Sequence, residues 1–267
     1  SSILWQHDCP GFIETEITDG IIKVSCYVEE SPEPPLPQRV TNGLQVLYTF
    51  TEGAGKIVHD TSGAGLALDL AVESEASVSW LPGGGLSVQS PTVIVSLDPA
   101  TKLNEAVKAS NEVTVEAWIK PANLSQRGPA RIITVSADFH HRNFNLAQAA
   151  ELYDFRLRTT DTTENGRPSL STQYGALEAK LTHVVYTRSG AGQAKIYLDG
   201  VVAAEKEVLG ETKNWDKGYH LALANEMLGS REWLGEFHLV AAYHRALSVE
   251  EIAQNLEAGP QRDEPVP

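Results

Sequence analysis

The stretch HVVYTRSGAGQAKIYLDGVV, His183 to Val202, carries two strands and the turn between them. His183 to Arg188 is rich in β-branched and aromatic residues, and Ala194 to Leu198 alternates with period two, the pattern of a half-buried strand. Ser189 to Gln193 separates the two runs. Asp199-Gly200 then supplies a second tight turn, because glycine tolerates the positive φ that primed hairpin turns require. Further short runs of the same kind occur from Gly43 onward, broken by Gly, Pro, Asn and Ser: LQVLYTF, ASVSWL, TVIVSL, EVTVEAWI, RIITVSA, LYDFRLRTT, HLALA and LGEFHLVAAYH. Such spacing predicts an all-β sandwich or barrel and excludes alternating βαβ units.

The 267 residues, 42% of them hydrophobic, suffice for one large β domain with a full core. No run approaches the roughly 18 apolar residues that span a bilayer, and Ser1-Ser2-Ile3 lacks the basic start and apolar run of a signal peptide, so a mature or trimmed chain is expected. The net charge of -14 repels polyanions and makes nucleic acid a poor partner.

The repeated prolines of SPEPPLPQ, Ser31 to Gln38, forbid a central strand and mark the clearest boundary. Residues 1–40 read as an N-terminal arm, 41–258 as the main domain and 259–267 as a polar tail. In the arm, Phe12 to Thr18 and Ile21 to Tyr27 form a hairpin turned at Asp19-Gly20, flanked by Cys9 and Cys26. A disulfide between them is expected, with two buried thiols as the alternative. Two helices interrupt the strands. Asp98-Pro99 starts a short one bearing Leu103, Ala106 and Val107. In SVEEIAQNLEAGP, Ser248 and Glu251 form a capping box, Val249, Ile252 and Leu256 share a face, and Gly259-Pro260 ends the helix.

Four stretches together resemble the laminin-G-like jelly-roll family of the concanavalin-A-like lectin and glucanase superfamily. They are GLQVLYTFTEGAGKIVHDTSGAGLALDL (Gly43 to Leu70), VTVEAWIKP (Val113 to Pro121), HVVYTRSGAGQAKIYLDGVV and WLGEFHLVAAYHRALSVEEIAQNL (Trp233 to Leu256). The resemblance covers roughly residues 43 to 258 and implies a two-sheet antiparallel jelly-roll sandwich with a short C-terminal helix. RNFNLAQ before FRLRTT, and LALANE before REWLGEF, are similar to a bacterial subgroup of secreted multidomain proteins. That likeness implies export, a periplasmic or cell-surface location, and neighbouring domains. The superfamily holds lectins, adhesion domains, glucanases and lyases, so fold alone selects no function.

The carboxylate motif of the superfamily's retaining glucanases, E-x-D-x-E or E-x-D-x-x-E, does not occur here. Glu112 with Glu116, and Glu205 with Glu207, share strand faces but read as solvated edges. A lyase needs a Tyr or His base beside a positive group, for which Phe139-His140-His141-Arg142, Arg156 and Arg158 are candidates; the competing reading pairs these arginines with Glu151, Asp154 or Glu226. His140-His141 lacks zinc spacing. For calcium, a structural role is expected, with Glu52 and Asp60 as ligands in the turn-rich FTEGAGKIVHDTSGAG. In similar sandwiches an Asp on the last strand assists, and His238 stands at that place here.

Trp215 and Tyr219, among the polar residues of NWDKGYH, suggest an exposed aromatic platform assisted by Asn214, Asp216 and Arg231, whereas Trp80, Trp118 and Trp233 read as core. The alternative for Trp215 is that it caps the core. The sequence thus points to a non-catalytic extracellular module recognising a glycan or protein, with a lyase or hydrolase and a structural spacer as alternatives.

Overall fold

The structure, a computed structural model, describes residues 12–18, 21–27 and 37–260. The chain divides into two compact units, Ser1–Leu36 and Pro37–Pro267. In the first, β1 (Phe12–Thr18) and β2 (Ile21–Tyr27) form the expected antiparallel hairpin, with Thr18 opposite Ile21 and Ile13 opposite Cys26. The turn residues 19 and 20 and Cys9 lie outside the described residues, and so does the expected disulfide.

The second unit is the jelly-roll sandwich. Its strands are β3 (Leu44–Tyr48), β4 (Ile57–Val58), β5 (Leu70–Val72), β6 (Val78–Trp80), β7 (Leu86–Val88), β8 (Ile94–Ser96), β9 (Val113–Pro121), β10 (Ala130–Ser136), β11 (Arg142–Ala149), β12 (Leu152–Leu157), β13 (Leu170–Ser171), β14 (Thr182–Arg188), β15 (Gln193–Leu198), β16 (Val201–Glu207), β17 (His220–Leu223) and β18 (Gly235–Tyr243). One sheet runs β13-β12-β11-β10-β17-β8-β5-β4. The other runs β16-β15-β14-β9-β18-β7-β6, with β3 paired to the distal half of β18. Every strand pair is antiparallel.

The opening hairpin forms β14 and β15. Asp199 and Gly200 both have positive φ, 48° and 80°, and place Leu198 opposite Val201 at the start of β16. Gly200 is favoured by its positive φ, and a Cβ there would also stand 3.0 Å from Leu256 Cδ2, which would have to give way. Strand alternation then fills the space between the sheets with Val113, Val115, Ala117 and Ile119 of β9, Val184 and Tyr186 of β14, and Phe144, Leu146, Tyr153 and Phe155 of the facing sheet. Phe155 and Tyr186 stack across this core at 3.5 Å between ring centroids.

Both expected helices are present. α1 (Thr101–Ser110) buries Leu103, Asn104 and Val107; its N-cap is Ala100, so Asp98 does not cap it. α2 (Val249–Ala258) begins with the predicted capping box, Ser248 Oγ accepting from Glu251 N at 3.3 Å and Glu251 Oε2 from Ser248 N at 2.9 Å. Its buried residues are Ile252 and Asn255, while Val249 is exposed.

α2 covers the outer face of the second sheet, where Val185, Tyr197, Leu239, Ala241 and Tyr243 pack with Val40, Leu44, Leu247 and Ile252. In the middle of that layer lies Glu116, fully buried, so its reading as a solvated edge is wrong: alternation places it off the core, but a second layer shuts it from water. Glu116 receives Arg39, has His183 Nε2 2.8 Å from Oε1, and accepts from Asn255 Nδ2 at 2.8 Å. Asn255 Oδ1 in turn accepts from Val40 N at 2.8 Å, and Arg39 Nη2 donates to Gly259 O at 2.6 Å. Arg39 and Val40 therefore belong to the sandwich, and the expected boundary after residue 40 moves to before Pro37.

Burial pushes the Glu116 carboxyl up, but Arg39 and His183 outweigh it and hold its pKa at about 2. An ordinary glutamate in the unfolded chain titrates near ~4.3, so unfolding takes up a proton below that pH. The stability contributed by Glu116 is complete above this value and lost as pH falls toward 2. Glu116→Gln should cost about 3–5 kcal/mol at neutral pH, as for a broken buried ion pair, and flatten the acid limb of urea midpoints measured from pH 6 to 2.5.

Candidate functional site

The outward face of the first sheet differs from that of the second. A transverse row crosses it through paired residues Ala71, Val95, Ala222, Thr134, Asn145 and Arg156. None belongs to the apolar core clusters, and Thr134, Asn145 and Arg156 are nonetheless buried. Arg131 and Arg142 lie beside this row, also buried, at the two ends of the β10–β11 pairing.

These guanidiniums share two carboxylates. Glu226, fully buried, takes Arg131 Nε on Oε2 at 3.0 Å, has Arg142 Nη1 at 3.6 Å, and receives the Ser136 hydroxyl on Oε1. Asp154 pairs with Arg156 Nε at 3.1 Å and accepts from Ser171 Oγ at 2.8 Å. Arg142 Nη1 also donates to Asn145 Oδ1 at 2.6 Å, while Arg142 Nε and Asn145 Nδ2 are buried without a partner. Burial and the neighbouring Arg131 draw the Arg142 pKa down to about 9 despite Glu226. The alternative of local ion pairs, weighed in the sequence against a lyase centre, is thus the arrangement found for Arg142 and Arg156. Arg158 stands 3.7 Å from Glu164.

Above this layer the loop between β10 and β11 exposes Phe139 and His140, whose rings lie 4.2 Å apart, and Arg231 sits over Phe139 at 5.8 Å. Asp138 ties the loop down: burial opposes its ionisation, but the His141 ring and the backbone N–H groups of His140 and His141 hold its pKa at about 2. An aromatic face, an imidazole and a guanidinium therefore meet in one patch above a layer of buried arginines.

The predicted platform is not assembled. Trp215 is 2% exposed, packs in the core beside Phe144 at 5.8 Å and donates Nε1 to Arg158 O at 2.7 Å, which is the core-capping alternative. A large aromatic at the end of a short 3-10 turn fills the gap between the sheets rather than facing water. Asn214 Nδ2 donates to Thr159 O at 2.9 Å, Asp216 is exposed, and Tyr219 packs half-buried against the core. Arg231 belongs instead to the Phe139 patch. Trp233 is core as expected, Trp80 and Trp118 are partly buried, and Trp118 stacks on His183 at 4.9 Å.

The other candidate carboxylates are engaged by their own neighbours, Glu205 by Lys195 at 3.4 Å. Glu112 accepts Gly190 N and Ala246 N, each at 3.1 Å. Glu207 and Asp161 line an open cleft of about 230 Å³, exposed, and engaged by Gln193 and Thr160. Such a setting lacks the enclosure on which acid–base work relies.

Glu52 and Asp60 lie in the expected turns, but the residues do not fit calcium. Asp60 Oδ1 accepts from Leu47 N at 3.1 Å and Ser62 N at 3.0 Å, while Oδ2 accepts from Leu68 N at 3.0 Å and Lys102 Nζ at 2.5 Å. All four lone-pair directions of the carboxylate are filled. Lys102 Nζ also donates to Ala64 O at 2.7 Å, so the ammonium holds the carboxylate and carbonyl that a hard cation would use. Glu52 accepts His59 N at 2.7 Å and leaves one buried oxygen, far short of a calcium shell. His238 lies 3.2 Å from Glu236. Among the described residues no three His, Cys, Asp or Glu converge as metal ligands.

Sequence reasoning missed Lys102 and Asn145, and named Glu226 only as one of three carboxylates that could pair with the arginines. Lys102→Met should destabilise the domain by about 3 kcal/mol, the low end for a buried pair because the lysine is partly exposed. The melting temperature of the unaltered protein should be the same in chelator and in millimolar calcium, as read by thermal unfolding. Trp215→Ala should cost about 3–5 kcal/mol, as a core aromatic deletion does.

Residues 96–253, more than half of the chain, match a laminin-G-type family described as the concanavalin A-like lectin/glucanases superfamily. The fold is similar to that of the botulinum neurotoxin serotype C1 binding domain, with a TM-score of 0.63 at 12% identity over 81% of this chain and 52% of that one. A structure described by the dependence of botulinum neurotoxin type C cell entry on two ganglioside molecules gives 0.62 at 14%, covering 82% and 52%. The binding domain of botulinum neurotoxin DC in complex with rat synaptotagmin II gives 0.60 at 13%, also covering 82% and 52%. The chain spans about half the length of these structures, and at such identities the likeness is one of fold. No curated protein matched the sequence. With two antiparallel sheets enclosing one core and the match over residues 96–253, the chain belongs to the laminin-G-type family of the concanavalin A-like superfamily.

Proposed function

We propose that this domain is a non-catalytic recognition module that binds a glycan at the Phe139–Arg231 patch. The observation that carries the reading is the exposed Phe139 ring beside Arg231 and the exposed His140. Sugar rings stack their apolar faces on aromatics while hydroxyls and charged groups take the polar donors. Two of the similar folds are described with gangliosides or synaptotagmin, which supports a glycan or a protein as the ligand class. The glycan is preferred because a single exposed aromatic stands beside a guanidinium and an imidazole, the pairing that stacks on one sugar ring and bonds its hydroxyls.

An exported protein of a bacterium, secreted, periplasmic or at the cell surface and carrying further domains, is the setting that goes with this reading. The Cys9 to Cys26 disulfide is part of it, and thiol titration of unfolded, unreduced protein would count two free thiols if it were absent.

A panel of neutral and acidic oligosaccharides, titrated into the protein by calorimetry, tests the function. Phe139→Ala and Arg231→Ala should each weaken binding at least about tenfold, the loss of one stacking or charge-assisted contact, with the melting temperature unchanged. The bound glycan should be recovered uncleaved. Retained affinity in both variants, or released fragments, would overturn the proposal.

A further inference from the structure

The segment between β17 and β18 leaves and re-enters the sandwich at almost the same point. Ala224 N donates to Ile132 O at 3.2 Å, Trp233 N to Ala224 O at 2.7 Å, and Arg131 N to Arg231 O at 2.8 Å. Between these anchors the loop is held mostly by itself: Asn225 Oδ1 accepts from Glu226 N at 2.9 Å and Arg231 N at 3.0 Å, and Gly229 N donates to Glu226 O at 2.8 Å. Leu228 at its tip is 76% exposed, and Met227, Leu228 and Gly229 border an open cleft of about 340 Å³. The Glu226 carboxylate is thus the group that reaches from this loop into the sheet face, to Arg131, Ser136 and Arg142.

The site into which it reaches has donors that it leaves unpaired. Arg131, Arg142, Arg156 and Arg231 gather there with Glu226, Asp154 and Asp138, in a protein whose net charge is -14. Two buried donors, Arg142 Nε and Asn145 Nδ2, have no partner in fully buried residues. Leaving such donors empty costs free energy that a bound acceptor would recover.

We infer that Glu226 is the internal occupant of an anion subsite, and that the carboxylate of an acidic sugar displaces it to bind Arg131, Arg142 and Ser136. The inference rests on the glycan-binding reading above and names its ligand class. Guanidiniums in fixed positions suit a planar carboxylate. The loop has a solvated apolar tip and bonds its own backbone, so local opening is confined to residues 225–230 and its main cost is the Glu226 contacts that an incoming carboxylate replaces. Because the subsite is filled from within, the affinity of the unaltered protein is reduced by the small fraction of molecules in which Glu226 has left.

The test titrates the whole chain with a galacturonate oligosaccharide and with its neutral galactose counterpart, in the unaltered protein and in Glu226→Gln. Amide exchange of residues 225–230 is followed in the unaltered protein. The acidic oligosaccharide should bind Glu226→Gln at least tenfold more tightly than the unaltered protein, the neutral one should show no such gain, and exchange in the loop should rise on binding the acidic ligand. Equal affinities in both proteins overturn the subsite, as does binding without faster exchange. Should Glu226→Gln fail to fold, the exchange measurement alone decides in the same two directions. If both oligosaccharides bind equally and Phe139→Ala abolishes both, the subsite falls while the surface reading stands; no binding in any arm sinks both.

Discussion

The sandwich depends on one buried charge. Glu116 sits in the middle of β9, the strand between β14 and β18, and its carboxylate draws in Arg39 from the start of the domain, His183 from β14 and Asn255 from the closing helix. A buried carboxylate is tolerable only with its partners in place, so this contact forces the first and last segments of the domain onto the same sheet face. The apolar layer of Tyr197, Leu239, Tyr243 and Ile252 surrounds that anchor and keeps water from it. Whatever ligand the domain takes, the face beneath α2 is committed to holding the sandwich's first and last segments together.

That commitment leaves the other outward face available. Its strands keep their apolar residues for the shared core, so the remaining alternate positions carry Thr134, Asn145, Asp154 and Arg156. No helix lies on it among the described residues; loops cover it, and the loops bring Glu226, Arg231 and Phe139. Loops on a rigid sheet can vary without loss of the core, which is why recognition sites gather on them.

Much of the architecture was legible because local rules act on neighbouring residues. The β14–β15 hairpin, the Asp199-Gly200 turn and the Ser248–Glu251 capping box each stand in a few consecutive residues, and each forms as read. Burial on an outward face was not legible. Alternation places Glu116 opposite the core side of β9, but nothing in VTVEAWI announces the helix that covers it. Trp215 failed for the converse reason: polar neighbours on both sides suggested solvent, while the sheet gap that receives its ring is made by Phe144, far away in sequence. Partners such as Asp60 with Lys102, or Arg131 with Glu226, join residues dozens of positions apart and leave no periodic trace.

Those last two pairs are alike in kind and opposite in consequence. In each, a side chain of the protein takes a position suited to a foreign ion: Lys102 against the carboxylate and carbonyl of the Asp60 turns, Glu226 against the arginines of the sheet face. Around Lys102 the count closes on the carboxylate, since every lone-pair direction of Asp60 is used and the partly exposed ammonium donates to Asp60 and to Ala64 O. Around Glu226 it does not, since two buried donors, Arg142 Nε and Asn145 Nδ2, stay empty. A satisfied internal ion rigidifies its surroundings, whereas an unsatisfied one retains a driving force for exchange with a better partner. The fold therefore uses its own lysine to finish one internal ion site, and its own glutamate to fill another in which two donors stay unpaired.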